Sequence, residues 1–256
     1  MTPDITSPAN DRIKWLVRLR ERRHRDAEDL FVVEGARLYE RALGAGLVPV
    51  ATFVTGDIDI DLVGEISTVE AAALDKASYR QRSEGLIAVF PRVPTSLASL
   101  VVGSSPLLLV TENVEKPGNL GAMLRTAGAA GVDALITVGH QVDAHNPNTV
   151  RASTGALFTV PLAVSDWEEL GPWLAGRDIR VAVATPAVGP PLWDVDLTGS
   201  LALVVGAEHE GLSETALALA DENVRIPQSD GAVDSLNVSV AAAILLFEAL
   251  RQRGSG

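Results

Sequence analysis

A chain of 256 residues, 47% hydrophobic and 21% charged, has the makeup of a folded protein of one or two domains and excludes disorder, collagen-like repeats and a coiled coil. With no cysteine it can have no disulfide, thiolate metal site or cysteine nucleophile, and its four histidines (His24, His140, His145, His209), none in an HExxH pattern, give a zinc site no support. A net charge of -12 argues on its face against a polyanionic partner.

The charge is uneven. Residues 1–25 hold seven basic side chains (Arg12, Lys14, Arg18, Arg20, Arg22, Arg23, Arg25) against three acids, for a net of +4, which leaves -16 on the rest. Of the 21 basic residues, 18 are Arg, whose planar fork suits phosphates and stacks on bases. The same bias also follows from a GC-rich genome. The start of the sequence has no basic stretch followed by an apolar run, and no segment approaches the ~20 apolar residues of a membrane span. The expectation is a cytoplasmic protein with no membrane partner and no metal.

The first block, about 5–92, opens with a turn at Ser7-Pro8-Ala9-Asn10. A helical pattern follows, with Ile13, Leu16, Val17 and Leu19 apolar. Leu30–Val33 reads as a strand, Gly35–Leu43 as a helix closing at Gly44, and Val50–Val54 and Leu86–Phe90 as strands. The division expected is an N-terminal domain at 1–95, a linker at 96–105 and a second domain at 106–256.

The second block alternates. Leu107–Val110, Ala134–Val138, Phe158–Val160, Val181–Ala184, Leu201–Val205 and Val224–Ile226 read as strands. Leu120–Ala130, Asn146–Gly155, Trp167–Leu174, Ser213–Ala220 and Val238–Arg251 read as helices. Continuous apolar strands alternating with helices imply an α/β parallel sheet covered on both faces. Ligands on such sheets sit beyond the carboxyl ends of the strands, so the loops after 110, 184, 205 and 226 are the places to look.

No GxGxxG follows a strand, and neither a P-loop nor a GxSxG elbow is present. Three other loops stand out. The first reads Pro117-Gly118-Asn119-Leu120-Gly121-Ala122-Met123-Leu124-Arg125; Asn119 is placed to cap a helix, and Arg125 either reaches solvent or faces an anion. The second, Gly206-Ala207-Glu208-His209-Glu210-Gly211-Leu212, sets glycines and carboxylates at a strand end, as a ligand loop or a plain connection to the next helix. The third runs from Ile226-Pro227 to Ser235-Leu236-Asn237-Val238, where helix-start N–H groups are capped by a side chain or take an anion.

In this order, Asn119-x-Gly121-x-x-x-Arg125, Gly206-x-Glu208-x-x-Gly211-Leu212 and Ile226-Pro227 with Ser235-Leu236-Asn237-Val238 resemble the three motifs of the SpoU (TrmH) branch of the SPOUT RNA methyltransferases. Arg151-Ala152-Ser153-Thr154-Gly155-Ala156 is similar to a further segment of that family. The likeness spans 106–253. The first block, with Asn10-x-x-Ile13-Lys14 and Phe31-Val32-Val33-Glu34-Gly35, resembles the family's substrate-binding domain. The third loop is one residue longer between Pro227 and Ser235 than in many members.

The resemblance implies an α/β fold: a C-terminal SPOUT-type parallel sheet with a trefoil knot, plus a smaller N-terminal α/β substrate-binding domain that is ribosomal-protein-L30e-like. It implies S-adenosyl-L-methionine as cofactor, an RNA partner (ribosomal above all), and a homodimer through the C-terminal domain. Val238, Ala241, Ala242, Leu245, Leu246 and Ala249 form an apolar stripe that suits a dimer or the core. The implied reaction is methyl transfer to a ribose 2′-hydroxyl. Arg125 would act at the ribose, as base or as orienting and electrostatic group, with Asn119, Glu208, Ser235 and Asn237 completing the catalytic set. Thr185, Gly206, Ile226 and Leu236 would hold the cofactor. Arg12, Arg18, Arg20, Arg22, Arg23, Arg151 and Ser153 would meet RNA. Transfer RNA as substrate, an antibiotic-resistance role and a non-catalytic RNA-binding module are the alternatives.

Overall fold

The computed structural model describes residues 3–56, 58–80, 82–140, 142–207, 210–229 and 236–254. The chain forms two compact units: Met1–Val93 with Asp143–Phe158, and Pro94–Val142 with Thr159–Gly256.

The first unit contains α1 (Asp11–Arg18), α2 (Arg22–Glu28), β1 (Leu30–Glu34), α3 (Ala36–Gly44), β2 (Ala51–Val54), β3 (Glu65–Thr68), α4 (Ala71–Ala77) and β4 (Leu86–Pro91). Asn10 starts α1 by accepting from the N–H of Arg12 at 2.9 Å. Gly35, at φ 91, makes the turn from β1 into α3. The strands lie in the order β1-β4-β2-β3, with β4 antiparallel to both neighbours and β2 parallel to β3. Ile13, Leu16, Leu19, Phe53, Leu74 and Ile87 fill one core.

Residues 143–158 correct the expected division, because they belong to this first unit. They carry α6 (Pro147–Ala152), started by Asn146. The reason is packing and charge. Phe31 lies against the rings of His145 and Phe158, with centroids 5.1 and 6.1 Å away. Arg25 is buried in an ion pair with Asp143 and also donates to the carbonyls of Leu19 and Arg20 at 2.7 and 2.6 Å. A buried guanidinium needs that many acceptors to offset its desolvation.

The second unit has β5 (Leu107–Glu112), α5 (Pro117–Ala130), β6 (Ala134–Val138), β7 (Leu162–Ser165), α7 (Trp167–Ala175), β8 (Arg180–Ala184), β9 (Leu201–Gly206), α8 (Glu214–Ala218), β10 (Glu222–Val224) and α9 (Val238–Gln252). Its strands are all parallel, in the order β10-β8-β9-β5-β6-β7. Every residue of β5 and β6 is buried, as a sheet covered on both faces requires.

Three expectations shift here. The strand expected at Phe158–Val160 is instead Leu162–Ser165, beyond Pro161. Phe158 ends a tight turn and spends its ring on Phe31. The segment 96–105 is no free linker: Leu97 is buried in the core of this unit, and Thr95 accepts from the N–H of Val164 at 2.8 Å. On α9, Val238, Ala242, Leu245, Leu246 and Ala249 face inward, and Ala241 is half-buried. The large apolar side chains left outside are Val240, Ile244 and Phe247.

Candidate functional site

Strands β10, β8 and β9 are neighbours and parallel, so their carboxyl ends open together. A cavity of about 420 Å³ lies there, and Thr185, Gly206, Ile226 and Leu236 all line it. Thr185 extends β8 by donating its N–H to Val224 at 3.0 Å, while its hydroxyl donates to Val188. Ala184, Val205, Leu212 and Val238 make most of the remaining wall apolar.

Gly206 is required by geometry. The loop after β9 doubles back so that Gly211 donates to the Ala207 carbonyl at 3.0 Å. A Cβ at 206 would overlap the backbone of Gly211 and Leu212. Gly211 itself turns at φ 68.

Beside this cavity is a smaller one of about 140 Å³, between the β5–α5 loop, Ala207 and Val238. Asn119 lines it. Its expected capping role is not what the structure shows: α5 begins earlier, at Pro117, with Lys116 at the cap position. Proline presets φ for a first helical residue, which moves the start ahead of Asn119. The Asn119 Oδ1 instead accepts from Asn237 Nδ2 at 3.2 Å. Asn237 also caps α9, its Oδ1 accepting from the N–H of Ser239 at 3.1 Å. The first and third loops therefore meet side chain to side chain.

Sequence reasoning passed over two supports of this site. Glu112 is buried at the end of β5, accepting from Trp167 Nε1 at 2.5 Å and from the N–H and hydroxyl of Ser213 at 2.8 and 2.6 Å. It pins the start of α8 against the sheet. Asn113, at φ 53, accepts from the N–H of His140 at 2.9 Å and so joins the loops after β5 and β6. An acid at the end of a strand that opens with four apolar residues was the available signal for Glu112.

Arg125 is exposed, two turns beyond Pro117 on α5, and lines neither cavity. Glu208 and Ser235 lie outside the described residues.

The residues expected at RNA separate into two groups. Arg18, Arg22, Arg23 and Arg151 are exposed. Ser153, in contrast, is fully buried and donates its hydroxyl to Val150 at 2.8 Å, which removes it from any phosphate. Arg20 donates to the carbonyls of Lys76, Ala77 and Ser78, closing the end of α4. Arg12 pairs with Glu65 at 2.7 Å, donates to Ser67 at 2.8 Å and lies over the Phe53 ring. Both side chains hold their own unit together.

Among the described residues no group of three or more metal-binding side chains gathers, and no helix is long and apolar enough to cross a membrane.

Residues 106–247 match the SpoU rRNA Methylase family. The chain belongs to that family. Residues 10–88 match the MRM3-like substrate binding domain. A relative from Bordetella pertussis, named 23S rRNA (guanosine-2'-O-)-methyltransferase RlmB, is 37% identical over 193 residues, covering 73% of this chain and 78% of its own. A crystal structure titled RNA 2'-O ribose methyltransferase superposes with a TM-score of 0.85 at 41% identity, covering 97% of this chain and 98% of that one. The SpoU methyltransferase AviRb from Streptomyces viridochromogenes, solved with AdoMet, gives a TM-score of 0.88 at 28% identity, covering 96% of this chain and 99% of that one.

Proposed function

We propose that this SpoU-family enzyme transfers a methyl group from S-adenosylmethionine to a ribose 2′-hydroxyl of ribosomal RNA, within the 23S molecule. The observation that carries the reading is the convergence of Thr185, Gly206, Ile226 and Leu236 on one cavity. Its volume and largely apolar wall suit a nucleoside-sized cofactor.

When bound, S-adenosylmethionine supplies a sulfonium methyl whose transfer needs no acid at the leaving group. Gly206 would let the loop after β9 fold back to form the wall beside the cofactor, and the apolar lining would exclude water. The Asn119–Asn237 pair ties the first and third loops together beside the cavity, and Glu208 and Ser235 complete the set. Arg125 orients the ribose and stabilises the oxygen as it loses its proton. A guanidinium keeps its own proton throughout the physiological range, so it serves as an orienting and electrostatic group rather than a base.

Arg125 stands apart from the cofactor cavity of its own chain. This supports a homodimer in which Arg125 serves the partner subunit's site. Val240, Ile244 and Phe247 on α9 give the second unit an exposed apolar face for that pairing. A cytoplasmic location and a trefoil knot in the second unit belong to the same reading.

The test is methyl incorporation from labelled S-adenosylmethionine into protein-free 23S rRNA, with the modified position mapped by its resistance to alkaline cleavage. Label at a ribose 2′ position is expected. Label on a base, or on transfer RNA alone, would refute the reading.

A further inference from the structure

The net charge of -12 leaves few places where a polyanion can dock, and the arginine-rich segment 12–25 is partly committed elsewhere. Arg12, Arg20 and Arg25 bind carboxylates and carbonyls of their own unit. A different surface of the first unit gathers arginines that face outward. Arg37 and Arg41 stand one turn apart on α3, Arg80 follows α4, and Arg151 closes α6. All four are exposed and line one cavity of about 240 Å³.

The surroundings are arranged to hold them there. Arg41 donates to the Thr154 carbonyl, and its stem lies against Gly155. Thr154 and Gly155 both turn at positive φ, 49 and 97, directly after the buried Ser153 hydroxyl closes α6. A Cβ at 155 would meet the Arg41 stem. Arg151 is steadied by Asn148 Oδ1 at 3.2 Å. Arg37 has no hydrogen-bond or ion-pair partner among the described residues.

Two carboxylates share the lining. Glu84 pairs with Arg80, and Glu34 accepts from the Ser78 hydroxyl and the Tyr79 N–H at 2.8 and 2.5 Å. Four guanidinium groups against two carboxylates leave an excess of positive charge in a strongly acidic chain. Tyr79 adds an aromatic side chain 41% exposed, its hydroxyl accepting from Asn148 Nδ2 at 3.0 Å.

We infer that this cleft is where the first unit grips an unpaired stretch of the RNA substrate. Arg37, Arg80 and Arg151 would contact successive phosphates, and Tyr79 would receive a base. Guanidinium forks spaced over three chain segments suit a strand rather than a single small anion. An aromatic platform beside them is the recurring way to hold unstacked bases. The inference rests on RNA being the substrate. It places the contact in a cleft that α6, from the middle of the chain, completes.

The experiment uses the full chain and an end-labelled, protein-free 23S rRNA transcript, with affinity measured as salt is varied. Replacing Arg37, Arg80 and Arg151 together by Ala should weaken binding by about tenfold or more near 0.1 M salt. The slope of log K against log salt should flatten by about 2 units, since each phosphate contact contributes ~0.7–0.9. The corresponding Lys replacements should keep most of the slope, because the point charges remain. A set at Arg18, Arg22 and Arg23 should change it less. Methyl incorporation is read in the same samples. Loss of rRNA binding by the Ala set, beside a wild-type protein that binds rRNA but transfers no methyl, would support the cleft while refuting the proposed activity. A normally folded Ala set with unchanged slope and affinity would overturn the cleft. So would retained rRNA binding with loss of binding to RNA-free ribosomal proteins, which would make the surface a protein site.

Discussion

Asn237 Nδ2 donates to Asn119 Oδ1 at 3.2 Å, tying the first turn of α5 to the start of α9 across 118 residues of chain. Asn237 serves twice, because its Oδ1 also caps α9. Asn237→Ser keeps a good cap and removes the donor, so activity should fall while thermal stability stays near wild type. Asn237→Ala should cost about 1 kcal/mol of stability as well. A double-mutant cycle with Asn119→Ala, read in unfolding free energy, should give a coupling of about 1 kcal/mol. Strict additivity would show that the pair does not couple the two loops.

Gly206→Ala should disable cofactor binding with little effect on the sheet. The added Cβ would push the returning backbone of Gly211 and Leu212 outward and reshape the cavity wall. Calorimetric titration with S-adenosylmethionine should show an affinity loss of about tenfold or more, equal to roughly 1.4 kcal/mol. Wild-type affinity would mean that the loop relaxes freely and that its closeness is unimportant.

Glu112 holds Trp167 and Ser213 from a buried position. Glu112→Ala leaves the indole N–H and the Ser213 N–H without their acceptor, which should cost about 2–4 kcal/mol in urea unfolding. A loss below about 1 kcal/mol would show that water replaces the carboxylate without penalty.

Strands β5, β6, β8 and β9 were legible because each centres on an apolar run, whereas β7 lies four residues beyond its expected start and the polar Glu222-Asn223 opens β10 two residues before its expected start. Thr185, Gly206 and Ile226, proposed to hold the cofactor, line a cavity at the carboxyl ends of parallel strands, where such sheets open ligand sites. Three elements of the first unit were not legible. Arg22–Glu28 has almost no apolar residue, Ala71–Ala77 is largely alanine, and Glu65–Thr68 is a short edge strand of mixed exposure. Tertiary context decides such segments. Nor could spacing show that Arg20 closes a helix ending 57 residues away, or that α6 packs with the first unit. Both depend on long-range partners.

His145 should make the first unit acid-sensitive. Burial, reinforced by Arg92, pushes its pKa down to about 4. The unfolded chain takes up the proton near 6.5, so stability is whole above that pH and declines as pH falls toward 4, by up to about 3 kcal/mol. Urea melts followed between pH 7.5 and 4.5 should show the decline, and His145→Gln should flatten it. An equally steep decline in that variant would assign the acid sensitivity to other groups.

Arg125 carries the central claim, because it is exposed and outside the cavity proposed for the cofactor in its own chain, yet is proposed to act at the ribose. The direct measurement is the rate of methyl transfer from labelled S-adenosylmethionine to 23S rRNA by Arg125→Ala, with cofactor affinity measured on the same preparation. A rate reduced by about two to three orders of magnitude, the usual effect of removing one electrostatic stabiliser, with cofactor affinity unchanged, is the predicted result. Full transfer by the folded Arg125→Ala protein would contradict the account.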